Sequence, residues 1–506
     1  MARGPLRWPL DGDALEDLRW YLEDYLRAPF GVYEDRGPGI AARLPGWGEA
    51  VFEAVFGAGP PRDAYQRMRA RPAGVQVVFR SDTARWLGLP WELMRDPARE
   101  LPLALDAGVA GIDRSLPAAE LGAAFDVAGS GRLRVLMVIS RPSGAADVGF
   151  RMIARPLLER LEAVRGRVEL VVLRPPTLEA LAGTLAEAAD AGEPFQVVHF
   201  DGHGVLAGRR AAGAGAPGMY QGAAAEGVLV FQTADGGRDP VPASRVTQVL
   251  AAARVPVLVL NACQSGAVGK QLEAAVATRL LHGGAASVVA MAYSVYAVAA
   301  AEFMAAFYER LFAGDTVSVA VTAGRQRLFR HNARPSPKGD LPLDDWLVPV
   351  HYLRREVRFP RLVTTRPPGG PSLEEVLDRL GDPRRGEAGG ALAPVGVFTG
   401  RDGLFYELET AARLQKVIIL HGSAGTGKTE LAKAFGRWWR DTGGVERPEW
   451  VFWHSFEPGL ASFGLDGVIT EIGLAVFGPD FARLDADRRT SAVEGFLRDR
   501  RALLIW

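Results

Sequence analysis

Two stretches decide how this chain folds: FQVVHFDGHGV (195–205) and VPVLVLNACQSG (255–266). Each is an apolar run of strand length that breaks into small and polar residues. The runs are apolar throughout rather than alternating, as strands covered by helices on both faces must be. RVLMVIS (134–140), VELVVL (168–173) and ASVVAM (286–291) repeat the form. Between them lie an amphipathic stretch at 151–164 and the helix-like LEALAGTLAEAADAG (178–192), closed by a glycine. Strands alternating with helices predict an α/β fold with a mostly parallel sheet and flanking helices.

The ends of the first two strands carry the chemistry. One places His203 and Gly204 just past its C-terminal end, and the other places Cys263 at the matching position. Open parallel sheets build their sites outside the carboxyl ends of strands. If these strands are neighbours, an imidazole and a thiol face one crevice. A thiol attacks well only as thiolate, and an adjacent imidazole takes its proton and later returns one to a leaving amine. The amides of Gly204 and Cys263 are the natural donors for a developing oxyanion. The reaction class is acyl transfer from a peptide bond through a thioester. Cys263 is the one cysteine of 506 residues, which excludes an internal disulfide and a multi-cysteine zinc site. The plainer alternative is a small buried side chain, the usual fate of a free cysteine. His199, His282 and His351 read as structural, and Asp201 as a neighbour of the site.

The motifs VVHFDGHG (197–204) and LVLNACQSG (258–266) resemble those of the CHAT family of caspase-like peptidases, in the clan that also holds caspases and separase. LPWELMRDP, the segment 291–328 and WLVPVHY (346–352) support the likeness, which spans roughly residues 70–355. The resemblance implies His203 as general base and acid, Cys263 as nucleophile, and Gly204 with Cys263 as the oxyanion hole. It also implies a pocket for the residue before the cut, with Asn261, Tyr293 and Ser294 as its candidate lining. The resemblance further implies that residues 1–125 form a degenerate companion region to a peptidase domain over 126–362.

A second constellation follows a Pro-, Gly- and charge-rich linker at 363–394. HGSAGTGKTE (421–430) matches GxxxxGK[ST], after the apolar VIIL (417–420) and before a helix-like run. Gly422, Ser423, Ala424, Gly425, Thr426, Gly427, Lys428 and Thr429 are therefore candidate nucleotide ligands. Backbone N–H groups wrap the phosphates, Lys428 reaches the outer ones, and Thr429 meets Mg²⁺. FTGRD (398–402) resembles the box that precedes this loop in STAND-type signalling ATPases, which adds Arg401 to the ATP/Mg²⁺ site. WVFWHSF (450–456) and ALLIW (502–506) read as further strands. The last resembles the strand carrying the acidic Walker B residue, and the chain reaches Trp506 before that residue. The expectation is a partial NTPase domain over 395–506 that continues in the natural protein and binds nucleotide weakly in this form.

Basic and acidic residues balance at 59 each, so no global field favours nucleic acid or an anionic membrane. No apolar run is long enough to span a bilayer, and the N-terminus turns acidic where a signal peptide has its apolar core. A cytoplasmic location is expected. The Gly/Ala-rich 206–226 reads as a protruding loop and a candidate gate. Together the modules predict a cysteine endopeptidase that cleaves a partner protein under an ATP-binding, self-associating switch, as a bacterial stress or antiphage effector. Two alternatives stay open: a catalytically silent caspase-like scaffold on a signalling ATPase, and another hydrolase or acyltransferase using the same dyad.

Overall fold

The computed structural model describes residues 6–70, 74–117, 125–126, 133–144, 147, 151, 154, 158, 168–207, 226–263, 272–359, 392, 400–454 and 464–506. Among them, ten strands form one sheet. In chain order these are β1 (Val75–Arg80), β2 (Val109–Ser115), β3 (Leu133–Ile139), β4 (Val168–Val172), β5 (Val197–Ala207), β6 (Glu226–Gln232), β7 (Arg238–Pro242), β8 (Val257–Cys263), β9 (Ser287–Met291) and β10 (Pro349–Leu353). Their spatial order is β1-β2-β10-β9-β8-β5-β3-β4, with β6 and β7 continuing from β5. Strands β9, β8, β5 and β3 run parallel, as do β10, β2 and β1, and the two groups meet at the antiparallel β9–β10 pair. The fold is therefore mixed α/β with a mostly parallel sheet, as the continuous apolar runs predict.

Burial explains the central strands. Every residue of β9 and of β10 is buried, whereas β1 at the edge is half-buried along its whole length. The helices Ala297–Phe312 and Val317–Arg330 supply the covering layer, with Phe303, Phe307 and Leu311 fully out of solvent. Burying a side chain of this kind is worth about 1.5–3 kcal/mol. The segment LPWELM owes its place to charge as well as packing. Glu92 receives Nη1 of Arg114 at 2.6 Å and Nη2 of Arg325 at 2.8 Å, all three being 0–1% exposed. Removing one partner of such a buried cluster costs about 3–5 kcal/mol.

Residues 1–125 contribute β1 and β2 to this same sheet, together with the helices Gly12–Glu23, Val32–Phe56 and Gly59–Arg69. Val32–Phe56 runs through Pro38 and Pro45. Two of its glycines permit close packing. A Cβ at Gly37 would run into the Tyr25 ring, and one at Gly48 into the Leu93 carbonyl.

The chain divides into two compact units, one of residues 1–169 with 175–365 and one of 170–174 with 366–506. The second holds the helices Asp402–Leu414, Lys428–Asp441, Gly464–Phe477 and Ala486–Asp499. Two parallel strands accompany them, β11 (Val451–Trp453) and β12 (Leu503–Ile505). Trp450, Phe452, Ile472, Phe481 and Phe496 form its core. The expected strand at 417–420 is absent: Val417 and Ile419 are 79% exposed, and no described residue pairs with this stretch. A strand needs a ladder partner for its backbone groups, and hydrophobicity alone does not supply one. The linker at 363–394, apart from Leu392, and nearly all of the 206–226 loop lie outside the described residues.

Candidate active site

Strands β5 and β8 are parallel neighbours, and their register pairs Val197 with Val257 and onward, residue by residue, to His203 with Cys263. The two residues singled out by sequence thus occupy directly opposite positions, where adjacent strands lie about 4.8 Å apart. One detail differs from expectation. His203 and Gly204 lie inside β5, which continues to Ala207, and Cys263 is the last residue of β8. The continuation exists because β6 takes over as partner, pairing antiparallel from His203–Val230 to Ala207–Glu226. The glycines of DGHGV interrupt the apolar run, so the sequence pattern stops short of the strand end.

His203 is 30% exposed, and its Nε2 contacts Oδ1 of Asp147, a carboxylate that is 3% exposed. Sequence reading missed Asp147. It sits in the turn after β3, where Ser143 N–H donates to its second oxygen at 2.8 Å and its own amide donates to Gly144 at 3.1 Å. A carboxylate on Nε2 selects the tautomer with the proton there, leaving Nδ1 as the acceptor.

Asp201 has a different task. Its Oδ2 receives Arg141 Nη2 at 2.6 Å and its Oδ1 receives Asn261 Nδ2 at 2.9 Å. Arg141 and Asp201 are both nearly inaccessible, and Arg141 also donates to the carbonyls of Ser140 and Asp201. These bonds brace the strand ends one pleat below the His203–Cys263 pair. Asn261 therefore spends its amide nitrogen on Asp201, while its buried Oδ1 has no hydrogen bond among the described residues. His199, a further pleat down, is fully buried beside the Tyr308 hydroxyl at 3.3 Å. Burial pushes its pKa down to about 4, with Asp201 opposing and Arg141 adding to that shift. It is a neutral core residue.

Tyr293 and Ser294 follow β9, the strand next to β8. Ser294 N–H donates to Glu23 at 2.9 Å, and Tyr293 borders a cavity of about 590 Å³ shared with Trp8, Arg19, Arg85 and Trp86. Nothing in the local pattern of residues 1–27 foretells this contact with the N-terminal helix. His351 is buried between Asp113 (Nδ1–Oδ1 2.6 Å) and Ser287 (Nε2–Oγ 2.7 Å). The connectivity is that of a hydrolase triad, yet all three side chains are inaccessible, so the arrangement is structural. Among the described residues no cluster of three His, Cys, Asp or Glu has a metal-binding arrangement. Among them, too, no helix is long and apolar enough to cross a membrane.

The loop at 421–427 precedes the helix Lys428–Asp441. Gly422, Gly425 and Gly427 all have positive φ, a conformation that side chains disfavour. Lys428 Nζ donates to the carbonyls of Gly422 and Ser423 at 3.0 and 2.9 Å. Arg401 donates to Thr426 O at 2.6 Å. The two candidate cations thus contact one loop.

The sequence profile of the CHAT domain matches residues 51–356. No curated protein matches the chain. Among solved structures, two of the Saccharomyces cerevisiae separase–securin complex match at 12% and 14% identity, each with a TM-score of 0.30. Each match covers 54% of this chain and 15% of the other. The chain thus spans a small part of the length of these structures. The profile match covers more than half of the chain and includes both strand ends that carry His203 and Cys263, and the chain belongs to the CHAT-domain family.

Proposed function

We propose that the chain is a cysteine endopeptidase that cleaves a protein partner. The observation that carries this reading is the register placing His203 opposite Cys263 on adjacent parallel strands. In the proposed reaction His203 Nδ1 accepts the thiol proton of Cys263, and the thiolate attacks the scissile carbonyl carbon. The amides of Gly204 and Cys263 stabilise the oxyanion. As the C–N bond breaks, the imidazolium gives its proton to the leaving amine, and a thioester remains. Water, deprotonated by the same Nδ1, attacks the thioester and restores the thiol. Asp147 is the positioning residue. It holds the Nε2–H tautomer and favours the imidazolium that forms at each proton transfer.

Asn261, Tyr293 and Ser294 remain the proposed edge of the substrate pocket. In the second unit we propose that Gly422–Thr429 and Arg401 hold ATP, with Mg²⁺ at Thr429. The positive-φ glycines and the two cations fit a polyphosphate, whose bound charge would draw Lys428 from the loop carbonyls it now meets. Nucleotide-dependent self-association would then regulate the peptidase in a bacterial defence or stress response.

The test is a peptide-library digest with the wild-type chain and Cys263→Ala, alongside a thiol-reactive peptidyl probe. Turnover should fall by at least about 10³-fold in the variant, as expected for loss of a nucleophile. Because the chain has one cysteine, any probe adduct reports on Cys263 alone. Undiminished cleavage by Cys263→Ala would overturn the proposal, and a folded wild type that neither cleaves nor labels would favour a silent scaffold.

A further inference from the structure

The end of the sheet opposite His203 and Cys263 holds a cavity of about 460 Å³. It lies where the chain enters β8 and β9, beside Pro256 and Ala286. Arg254, Arg354 and Arg355 line it, and Leu250, Leu258 and Leu280 give it an apolar floor. No acidic residue is among its lining. Among the described residues, no carboxylate pairs with Arg254 or Arg354. Seven residues at about 3.3 Å each separate Pro256 from Cys263, so the cavity is roughly 23 Å from the thiol position.

Its arginines are held from fixed backbone. The amides of Arg354 and Arg355 both donate to the Ala286 carbonyl, at 2.9 and 3.0 Å. The Arg354 guanidinium lies over Gly284, where a Cβ would stand 3.6 Å from Nη1. Arg254 has φ +53°, which a non-glycine residue adopts at a cost. One other described non-glycine residue shares this conformation: Arg401, whose side chain contacts the glycine-rich loop. Guanidinium groups offer planar paired donors that match phosphate and carboxylate oxygens. Arg254 and Arg354, two such groups without a lining acid, exceed what one carboxylate neutralises. A phosphate monoester carries about −1.5 to −2 charges and three acceptor oxygens.

We propose that this cavity binds a small phosphorylated organic molecule, its phosphate on Arg254 and Arg354 and its apolar part on the leucine floor. The volume suits such a ligand, since sites of this kind run from about 300 to 1,000 Å³. The site is separate from the glycine-rich loop and does not depend on the peptidase reading.

Phenyl phosphate is the probe, titrated into the full chain carrying Lys428→Ala, so that the glycine-rich loop contributes little. Calorimetry and ³¹P line broadening follow binding. Saturable binding is expected, with benzoate at least about tenfold weaker. Arg254→Gly, which suits the left-handed backbone, and Arg354→Gln should each weaken phenyl phosphate by about tenfold or more, the loss expected for a charge-assisted bond. Thermal midpoints within about 2 °C of the parent would verify folding. If either variant unfolds, competition by inorganic phosphate in the parent decides: displacement of phenyl phosphate supports the site, and lack of it overturns it. No saturable binding, benzoate as tight as phenyl phosphate, or full affinity in both folded variants would also overturn it.

Discussion

Replacing Asp147 by asparagine isolates the charge on the His203 ring while keeping the side chain's shape. The carboxylate is 3% exposed and the ring 30% exposed. A hydrogen bond to a charged group contributes about 1.5–3 kcal/mol, and the ring's partial exposure points to the lower part of that range, about 1.5–2 kcal/mol. At about 1.36 kcal/mol per decade this is roughly a 10- to 30-fold loss of rate. The loss belongs in kcat, because the imidazolium forms in the transition state and not in the substrate complex. Steady-state cleavage of a peptide identified in the library digest gives kcat and KM separately. KM should stay within about threefold, the uniform-binding outcome. Asp147→Ala should lose more, since asparagine can still accept from Nε2–H and alanine cannot. An Asp147→Asn kcat within about twofold of wild type, at an unchanged thermal midpoint, would refute the positioning role. A loss confined to KM would do the same.

Two further outcomes follow from other parts of the molecule. His199 titrates near 6.5 when unfolded and at about 4 in the fold, so between these values the unfolded chain binds a proton that the native chain refuses. Stability is therefore complete above about pH 6.5 and falls as pH drops through the window, by roughly 2 kcal/mol at pH 5. Urea unfolding at pH 7.5 and 5 should show this difference shrinking in His199→Gln, and an equal pH dependence in both chains would contradict the assignment. Lys428→Ala should weaken binding of a fluorescent ATP analogue with Mg²⁺ by at least about tenfold, as loss of a charge-assisted phosphate contact predicts. Unchanged affinity would remove the nucleotide site.

The central sheet was legible because burial on both faces imposes continuous apolar runs, which β3, β5, β8 and β9 show, whereas β4 at the edge alternates buried and half-buried residues. The pairing of His203 with Cys263 was legible as well, since both residues end such runs. Asp147 was not. It lies 56 residues from His203 in a turn without periodicity, and only folding brings it to the ring. Arg141 and Glu92 were hidden for a related reason: each is a buried ion whose partner lies on a distant element, and hydrophobic patterns are blind to charge pairs. Residues 417–420 erred in the other direction. VIIL has the composition of a strand, yet a strand is a relation between segments, and composition describes only one of them.

Strand β5 exchanges neighbours along its length. Below His203 it is flanked by β3 and β8, and from His203 onward by β6. The imidazole therefore stands at a splice, with its main chain held by two ladders at once. Such a residue has little freedom to swing away. In the proposed reaction the base is therefore held in place by strand pairing rather than by a loop.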